Sequence, residues 1–364
     1  MKLVSPLLKH VVYPGLGRTG HFRHRQPEGP IVVTYHGVLP EQYQVLDPGL
    51  DSNLLSIASL RRQLQLLKTN YNVISPEQFA LWCGTQKPLP ARSVLLTCDD
   101  GLQNVLTLMS PLMQEQGVSC LFFVTGASLE ERPSMLWYEE LYLMLLDGPE
   151  ICDFELSGGD LRIRIAGRKQ RRLVWWNLVK RLSQFSRENR TSLLQEIRVR
   201  LELPEGWSSG YVGDSVLRSR FCMLTLSELR QLAQGGMSIG SHTLSHPMLS
   251  QQTEEAAWAE VSESRIALQR SLNCKIWALA YPFGDSGSVG KRELELAQRA
   301  GFGCAFLNIQ SNDSVKPSLF ALPRIHVTAG MALPEFEAHV SGFYRSWRNR
   351  FVLGSKWTLS QGRE

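Results

Sequence analysis

The sequence predicts a parallel α/β barrel of about seven strand–helix units, and three observations carry that prediction. Short β-branched or aromatic runs alternate with helical periods along most of the 364 residues, the pattern of a parallel sheet with helical crossovers. The units outnumber what a small doubly wound sheet needs and suit a barrel. No window approaches eighteen uninterrupted apolar residues, and 43% hydrophobic with 20% charged residues describes an ordinary soluble globular chain with a large core.

Taken in order, IVVTYHG (31–37) reads as a buried strand, followed by the periodic SLRRQLQLLKTN (59–70). NVISPEQFALWC (72–83) supplies a short strand and a helix that starts at Ser-Pro. SVLLTC (93–98) leads into the helical VLTLMSPLMQEQG, and CLFFVTG (120–126) is the next strand. LTLSELRQLAQGG precedes MSIGSH (237–242), and the long amphipathic EEAAWAEVSESRIALQRSL (254–272) precedes IWALAYPFG. KRELELAQRAG then precedes CAFLN (304–308), and PRIHV (323–327) precedes LPEFEAHVSGFYRSW.

Residues 127–222 break the alternation. SMLWYEELYLMLL is followed by CDFELSGGDLRIRIAG, which alternates around a Gly-Gly as a hairpin does. RRLVWWNLVKRLSQF is an aromatic-rich, basic amphipathic helix. The segment reads as an insertion packed beside the main body, which gives a basic N-terminal segment (1–30), a main domain (31–345) and a basic C-terminal tail (346–364).

The net charge of +5 is concentrated in the tails. Residues 1–27 and 340–363 each hold five basic residues and no acid, so the body carries 29 basic against 33 acidic residues. Both ends interleave apolar and basic side chains, which suits an anionic membrane surface. No nucleic-acid-binding motif accompanies the charge, so nucleic acid is not an expected partner. MKLVSPLLKHVVYPGLGRTG lacks a long apolar core and a small-residue cleavage site, so no secretory signal is read. Seven scattered cysteines with no CxxC pair point to a reducing compartment, and the expected location is cytoplasmic, peripheral to the inner face of a membrane.

In parallel α/β folds chemistry gathers where strands end. Asp99 and Asp100 follow one strand. His36, the pair His242 and His246, Tyr281 to Gly284, and His326 follow others. Two adjacent carboxylates repel each other and resist burial, so such a pair needs a use. His242 and His246, four apart, would lie on one side of a helical turn. Two neutral imidazoles and one carboxylate make a three-ligand site with positions left for water. Asp100 could give its charge to a divalent cation while Asp99 takes a proton from bound water. Taken singly, a DDG triplet is most often a turn with an N-capping Asp, and an HxxxH pair arises by chance on surface helices. A lone His36 is more often a hydrogen-bonded core histidine. Their coincidence at predicted strand ends is the signal.

TCDDG, SHTLSH, AYPFG and CLFFVTG together resemble the motifs of the polysaccharide deacetylases, the NodB-homology or carbohydrate esterase family 4 group, over roughly residues 31–126 and 223–330. The resemblance implies a deformed (β/α) barrel and a metal-dependent amidase that removes N-acetyl groups from amino sugars. Asp99 matches the family's base, and Asp100, His242 and His246 match its metal ligands, zinc being the usual ion. Three positions depart from the pattern. Cys98 replaces a usual Phe. Ala280 stands where many members carry an Arg that orients the base, and Arg324 is the candidate to replace it. The late histidine that protonates the leaving amine has no clean match; His326 is the best-placed substitute, a structural role for it being equally open. By analogy the oxyanion is met by the metal and a backbone N–H in the Tyr281–Gly284 loop, that of Phe283, with His36, Tyr281 and Phe283 lining the substrate site.

Three readings follow: a deacetylase of an N-acetylated glycan or glycolipid in cell-surface polysaccharide assembly, a metal amidohydrolase of a small ureide or cyclic imide, and a catalytically silent glycan-binding protein. The aromatic insertion, suited to stacking on sugar rings, favours the first.

Overall fold

The computed structural model describes residues 4–25, 27, 29–157, 161–309 and 318–348. Strands β1 (Ile31–Tyr35), β2 (Asn72–Ile74), β3 (Ser93–Cys98) and β4 (Leu121–Val124) precede the insertion, whose antiparallel hairpin is β5 (Ile151–Glu155) and β6 (Arg162–Ala166). β7 (Ser238–Ser241), β8 (Ala278–Ala280), β9 (Cys304–Phe306) and β10 (Ile325–His326) follow. The main sheet is wholly parallel in the order β9-β8-β7-β4-β3-β1-β10, with β2 against the first half of β3. After β9 the chain returns beside it: Leu322 N–H donates to Ala305, Leu307 N–H to Leu322 and Arg324 N–H to Ile309. That stretch runs straight into β10 on β1, so irregular backbone joins the two sheet edges. This is the deformed (β/α) barrel, and its deformation lies here.

β1, β3 and β4 are buried on both faces, which is why they read as continuous apolar runs. Val33, Tyr35, Leu96 and Phe122 face the helices. Val32, Leu95, Leu121, Phe123, Ala278 and Phe306 fill the interior, with Phe79 and Cys83 packed among them. Helix starts follow local chemistry: Ser75 accepts from the Gln78 N–H while Gln78 caps Ser75 in return, and Thr225 with Glu228 does the same.

Residues 137–221 build a second apolar cluster around Leu141, Ile163, Ile165, Leu178, Leu182 and Ile197. The hairpin appears where alternation predicted it, with Ile163 and Ile165 inward and arginines outward. Arg220, fully buried, ties this part to the body by donating to Asp51 and to both oxygens of Glu139.

The N-terminal segment is helical over much of residues 4–18 and docked. Leu8, Tyr13 and Phe22 are buried beside Ala338 and Phe343, Lys9 pairs with Glu335 at 3.0 Å, and Arg92 donates to the carbonyls of Arg23 and Arg25. Arg92 immediately precedes β3, so residues 23–25 lie at the barrel end opposite Asp99. Most of the expected C-terminal basic tail, from 349 on, lies outside the described residues. All seven thiols are free. No helix among the described residues is long and apolar enough to cross a membrane.

Candidate functional site

At the carboxyl ends of the strands the backbone is held in conformations that L-residues avoid. Of eight non-glycine residues with left-handed φ among the described residues, four cluster here: Asp100 (+74°), Thr243 (+65°), His246 (+54°) and Phe283 (+61°). Each costs of order 1 kcal/mol or more, and such costs persist where function or packing over-determines them. Gly101, also left-handed at +79°, has no room for a Cβ, which would lie 2.9 Å from Val124. The DDG triplet therefore turns sharply: Asp99 continues β3 through its N–H to the Tyr35 carbonyl, and Asp100 swings out.

Asp99 is 1% exposed and is clamped by Arg324, itself 1% exposed, through Nη1 to Oδ1 at 2.7 Å and Nη2 to Oδ2 at 2.6 Å. Arg324 also donates to the Leu307 carbonyl and to Thr34 and Thr97, and its guanidinium lies over the rings of Phe123 and Phe306. Burial alone would raise the Asp99 pKa, but Arg324, His242 and His36 outweigh it and hold the carboxylate below its ordinary value. The Arg that neighbouring Ala280 lacks thus comes from a different strand.

His242 and His246 do not share a helical turn. They sit in a loop whose direction reverses at Thr243, and a Thr243 Oγ1 bond to the His246 N–H fixes it. Both rings nevertheless converge on Asp100, with Nε2 to Oδ1 distances of 3.5 and 3.6 Å. The His242 Nδ1 lies 2.7 Å from the Ala280 carbonyl, which can only accept, so Nδ1 carries the proton and Nε2 offers a lone pair toward Asp100. One oxygen and two nitrogens, all within 4.8 Å of one another, form a group that could hold a metal ion. Ligands about 2.1 Å from a tetrahedral ion stand about 3.4 Å apart, close to the two distances from Asp100. Burial and then His242 push His246 down to about 3. His242, despite burial, is raised by Asp100 and Asp99. Asp100 is held well below the carboxylate range, His242, His36 and His246 outweighing burial.

The group opens into a cavity of about 850 Å³ that His36, Tyr138, Phe283 and Asn308 help to line, with Trp175 and Trp176 from the insertion. His36 faces His326 at 4.7 Å between ring centroids, with the His36 Nδ1 and the His326 Nε2 buried and unpartnered among the described residues. Burial, with His36 beside it, pushes His326 down to about 3. The N–H of Phe283 has no hydrogen-bond partner among the described residues, because the tight turn uses Gly284 N–H to Pro282 instead. Tyr281 lines the cavity as expected, but its side chain is largely buried and its hydroxyl donates to the Phe320 carbonyl at 3.0 Å, so the hydroxyl itself is engaged in the loop's own packing.

Sequence reasoning missed Tyr138, whose hydroxyl reaches Asp100 Oδ2 at 3.4 Å and whose ring packs on His246. It also missed which face of the basic insertion helix, Arg168–Leu182, meets the cavity: Lys169, Arg172, Leu173, Trp176 and Lys180. The three-and-four spacing of those positions was the available signal.

A family model for polysaccharide deacetylases matches residues 211–305. YxkH of Bacillus subtilis, a protein named provisionally as a polysaccharide deacetylase, is 26% identical over 117 residues, which is 32% of this chain and 41% of that relative. The match therefore spans less than half the length of that curated relative. Among solved structures, the deacetylase PplD of Streptococcus pyogenes, in complex with acetate, superposes with a TM-score of 0.53 at 16% identity, covering 86% of this chain and 99% of that one. IcaB of Ammonifex degensii gives 0.52 at 16%, covering 87% and 98%. At these identities the structural likeness is one of fold.

Proposed function

We propose, from the chain's similarity to polysaccharide deacetylases, that it is a metal-dependent deacetylase acting on the N-acetyl groups of an amino-sugar polysaccharide or glycolipid precursor in cell-surface polysaccharide assembly. The observation that carries the proposal is the convergence of Asp100, His242 and His246 beside an Asp99 clamped by Arg324.

Asp100, His242 and His246 would hold the ion, and one oxygen with two imidazoles suits zinc better than calcium or magnesium. Bound there, such an ion would supply Lewis-acid chemistry to the amide carbonyl and to water. Asp99 is the base. Kept ionised by two charge-assisted bonds from Arg324, it takes the proton of the attacking water. Arg324 acts through Asp99 and is a positioning residue. The unpartnered Phe283 N–H is aimed by its left-handed backbone to meet the developing oxyanion. The leaving amine takes up the proton that Asp99 accepted from the water, passed on through the His36–His326 pair, of which His36 lines the cavity.

A small ureide or cyclic imide would leave most of an 850 Å³ cavity empty. Acetate released from N-acetylglucosamine oligomers, measured beside ring opening of small imides, tests the assignment. Acetate release supports it, ring opening alone would transfer the protein to the amidohydrolases, and binding without turnover would make it a glycan-binding protein.

A further inference from the structure

The helix Arg168–Leu182 has two faces with different partners. Arg171, Trp175, Leu178, Val179 and Leu182 are buried in the insertion's own core. Lys169, Arg172, Leu173, Trp176 and Lys180 recur at spacings of three and four along the other side, all exposed and all lining the cavity mouth. Leu173 is 65% exposed and Trp176 44%. Exposed apolar side chains of that size interleaved with cations are what an amphipathic helix presents to a lipid headgroup layer.

Among the described residues none of Lys169, Arg172 or Lys180 pairs with a carboxylate. The acids of the same cavity are already engaged: Asp99 by Arg324, Glu139 by Arg220, Asp100 by the imidazoles, and Asp285 by the Gly287 and Ser288 N–H groups. Lys180 rests over the Trp176 ring, its ammonium 5.9 Å from the centroid. Arg172 lies across Gly49, where any Cβ would overlap the guanidinium. The loop that carries Gly49 also exposes Val45 and Leu46, at 50% and 46%. Apolar side chains therefore project from both segments that meet at the Gly49–Arg172 contact, and three unneutralised cations lie among them.

We infer that the cavity mouth docks on an anionic phospholipid surface: Lys169, Arg172 and Lys180 take the phosphates, and Leu173, Trp176, Val45 and Leu46 enter the headgroup layer. The substrate is then a glycan presented on a lipid through a phosphate. This last clause rests on the deacetylase reading, whereas the docking itself does not.

Co-sedimentation of the full chain with phosphatidylglycerol and with phosphatidylcholine vesicles tests it, with no turnover needed. Each basic residue near an anionic surface contributes about five-fold in partitioning, so K169Q/R172Q/K180Q should reduce binding to phosphatidylglycerol about 100-fold. L173S/W176S should reduce it at least ten-fold, and the native chain should ignore phosphatidylcholine. These positions are exposed, so melting temperatures should stay at the native value; if the triple variant melts early, K169Q/K180Q replaces it, with an expected loss of about 25-fold. Native binding that survives both substitutions would place any membrane contact elsewhere and overturn the inference, as would equal or negligible binding to both vesicle types. Inorganic phosphate that competes fully, with no effect of L173S/W176S, would make the mouth a free-anion subsite and equally overturn it. Acetate release without vesicle binding would remove the docking and leave the deacetylase standing; vesicle binding without acetate release would do the reverse.

Discussion

Replacing Arg324 with Met should be among the most damaging single changes in this protein, for a reason that can be worked from distances. The guanidinium and the Asp99 carboxylate are 2.6 and 2.7 Å apart across two bonds, and both residues are 1% exposed. At an effective dielectric constant of about 20, unit charges about 4 Å apart attract by about 4 kcal/mol. The larger effect is what remains: Met packs against Phe123 and Phe306, but Asp99 is left charged and almost fully buried, and breaking one partner of such a pair costs about 3–5 kcal/mol. Urea denaturation should therefore show R324M less stable by that amount. D99N should also be destabilised, because it leaves the arginine unpaired. The D99N/R324M double variant should be less damaged than the two losses combined, with a coupling energy of about 2–4 kcal/mol. Single variants that lose under 1 kcal/mol, or losses that simply add, would refute the claim that the pair is a closed, desolvated unit. In the acetate assay R324K should retain more turnover than R324M, since it restores a charge without the two-pronged geometry.

Other expectations follow from the same geometry. D100A and H242A should lose bound metal and turnover together by elemental analysis and acetate release, whereas D99N should keep the metal and lose about 10²–10⁴-fold in rate. R220M leaves Asp51 and Glu139 unpaired in the interior and should lower stability by about 3–5 kcal/mol in urea. Burial, with Lys9 nearby, lowers the His339 pKa from 6.5 to about 4. The folded state then binds fewer protons than the unfolded state between those values, so this contribution is complete above pH 6.5 and is lost as pH falls toward 4. Allowing for partial exposure, H339Q should remove about 1–2 kcal/mol of that acid sensitivity, read as the difference between two pH series of unfolding midpoints. Trimming residues 1–27 is a poor probe of membrane contact, because it would uncover Ala338 and Phe343; the exposed pair Leu7 and Val11 should tolerate serine with little change in melting temperature.

The barrel was legible because parallel strands buried on both faces must be continuous apolar runs, and IVVTY, SVLLTC and LFFV are that. The carboxylate and imidazole positions were legible because strand ends tolerate short, fixed motifs. Arg324 could be anticipated through the resemblance, because Ala280 stands where many members of that family carry the Arg that orients the base, and Asp99 then needs another cation. Other features follow from contacts that no local pattern encodes. A spacing of four fits a helical turn and equally fits a loop bent by left-handed Thr243 and His246, and only the second occurs. Tyr281 near a strand end looked like a ligand contact, but its hydroxyl finds a carbonyl 39 residues away. The insertion helix advertised its amphipathicity without revealing which face the body would cover. The N-terminal segment read as a charged tail because its acidic partners, Glu335 and Glu337, lie at the other end of the chain.

Residues 318–324, which lead into β10 from beside β9, set an order of events during synthesis. Asp99 and its counter-charge are 225 residues apart, which at ribosomal speeds is about 10–45 s of elongation. Through that interval β3 has left the ribosome with a carboxylate it cannot bury, β1 has no partner on its β10 side, and the seam beside β9 stands open. The closing arginine arrives among the last of the described residues, on the same few residues that shut the ring. Polypeptides cut short before 319 should thus be good clients for chaperones, since the step that completes the Asp99–Arg324 pair is also the step that seals the fold.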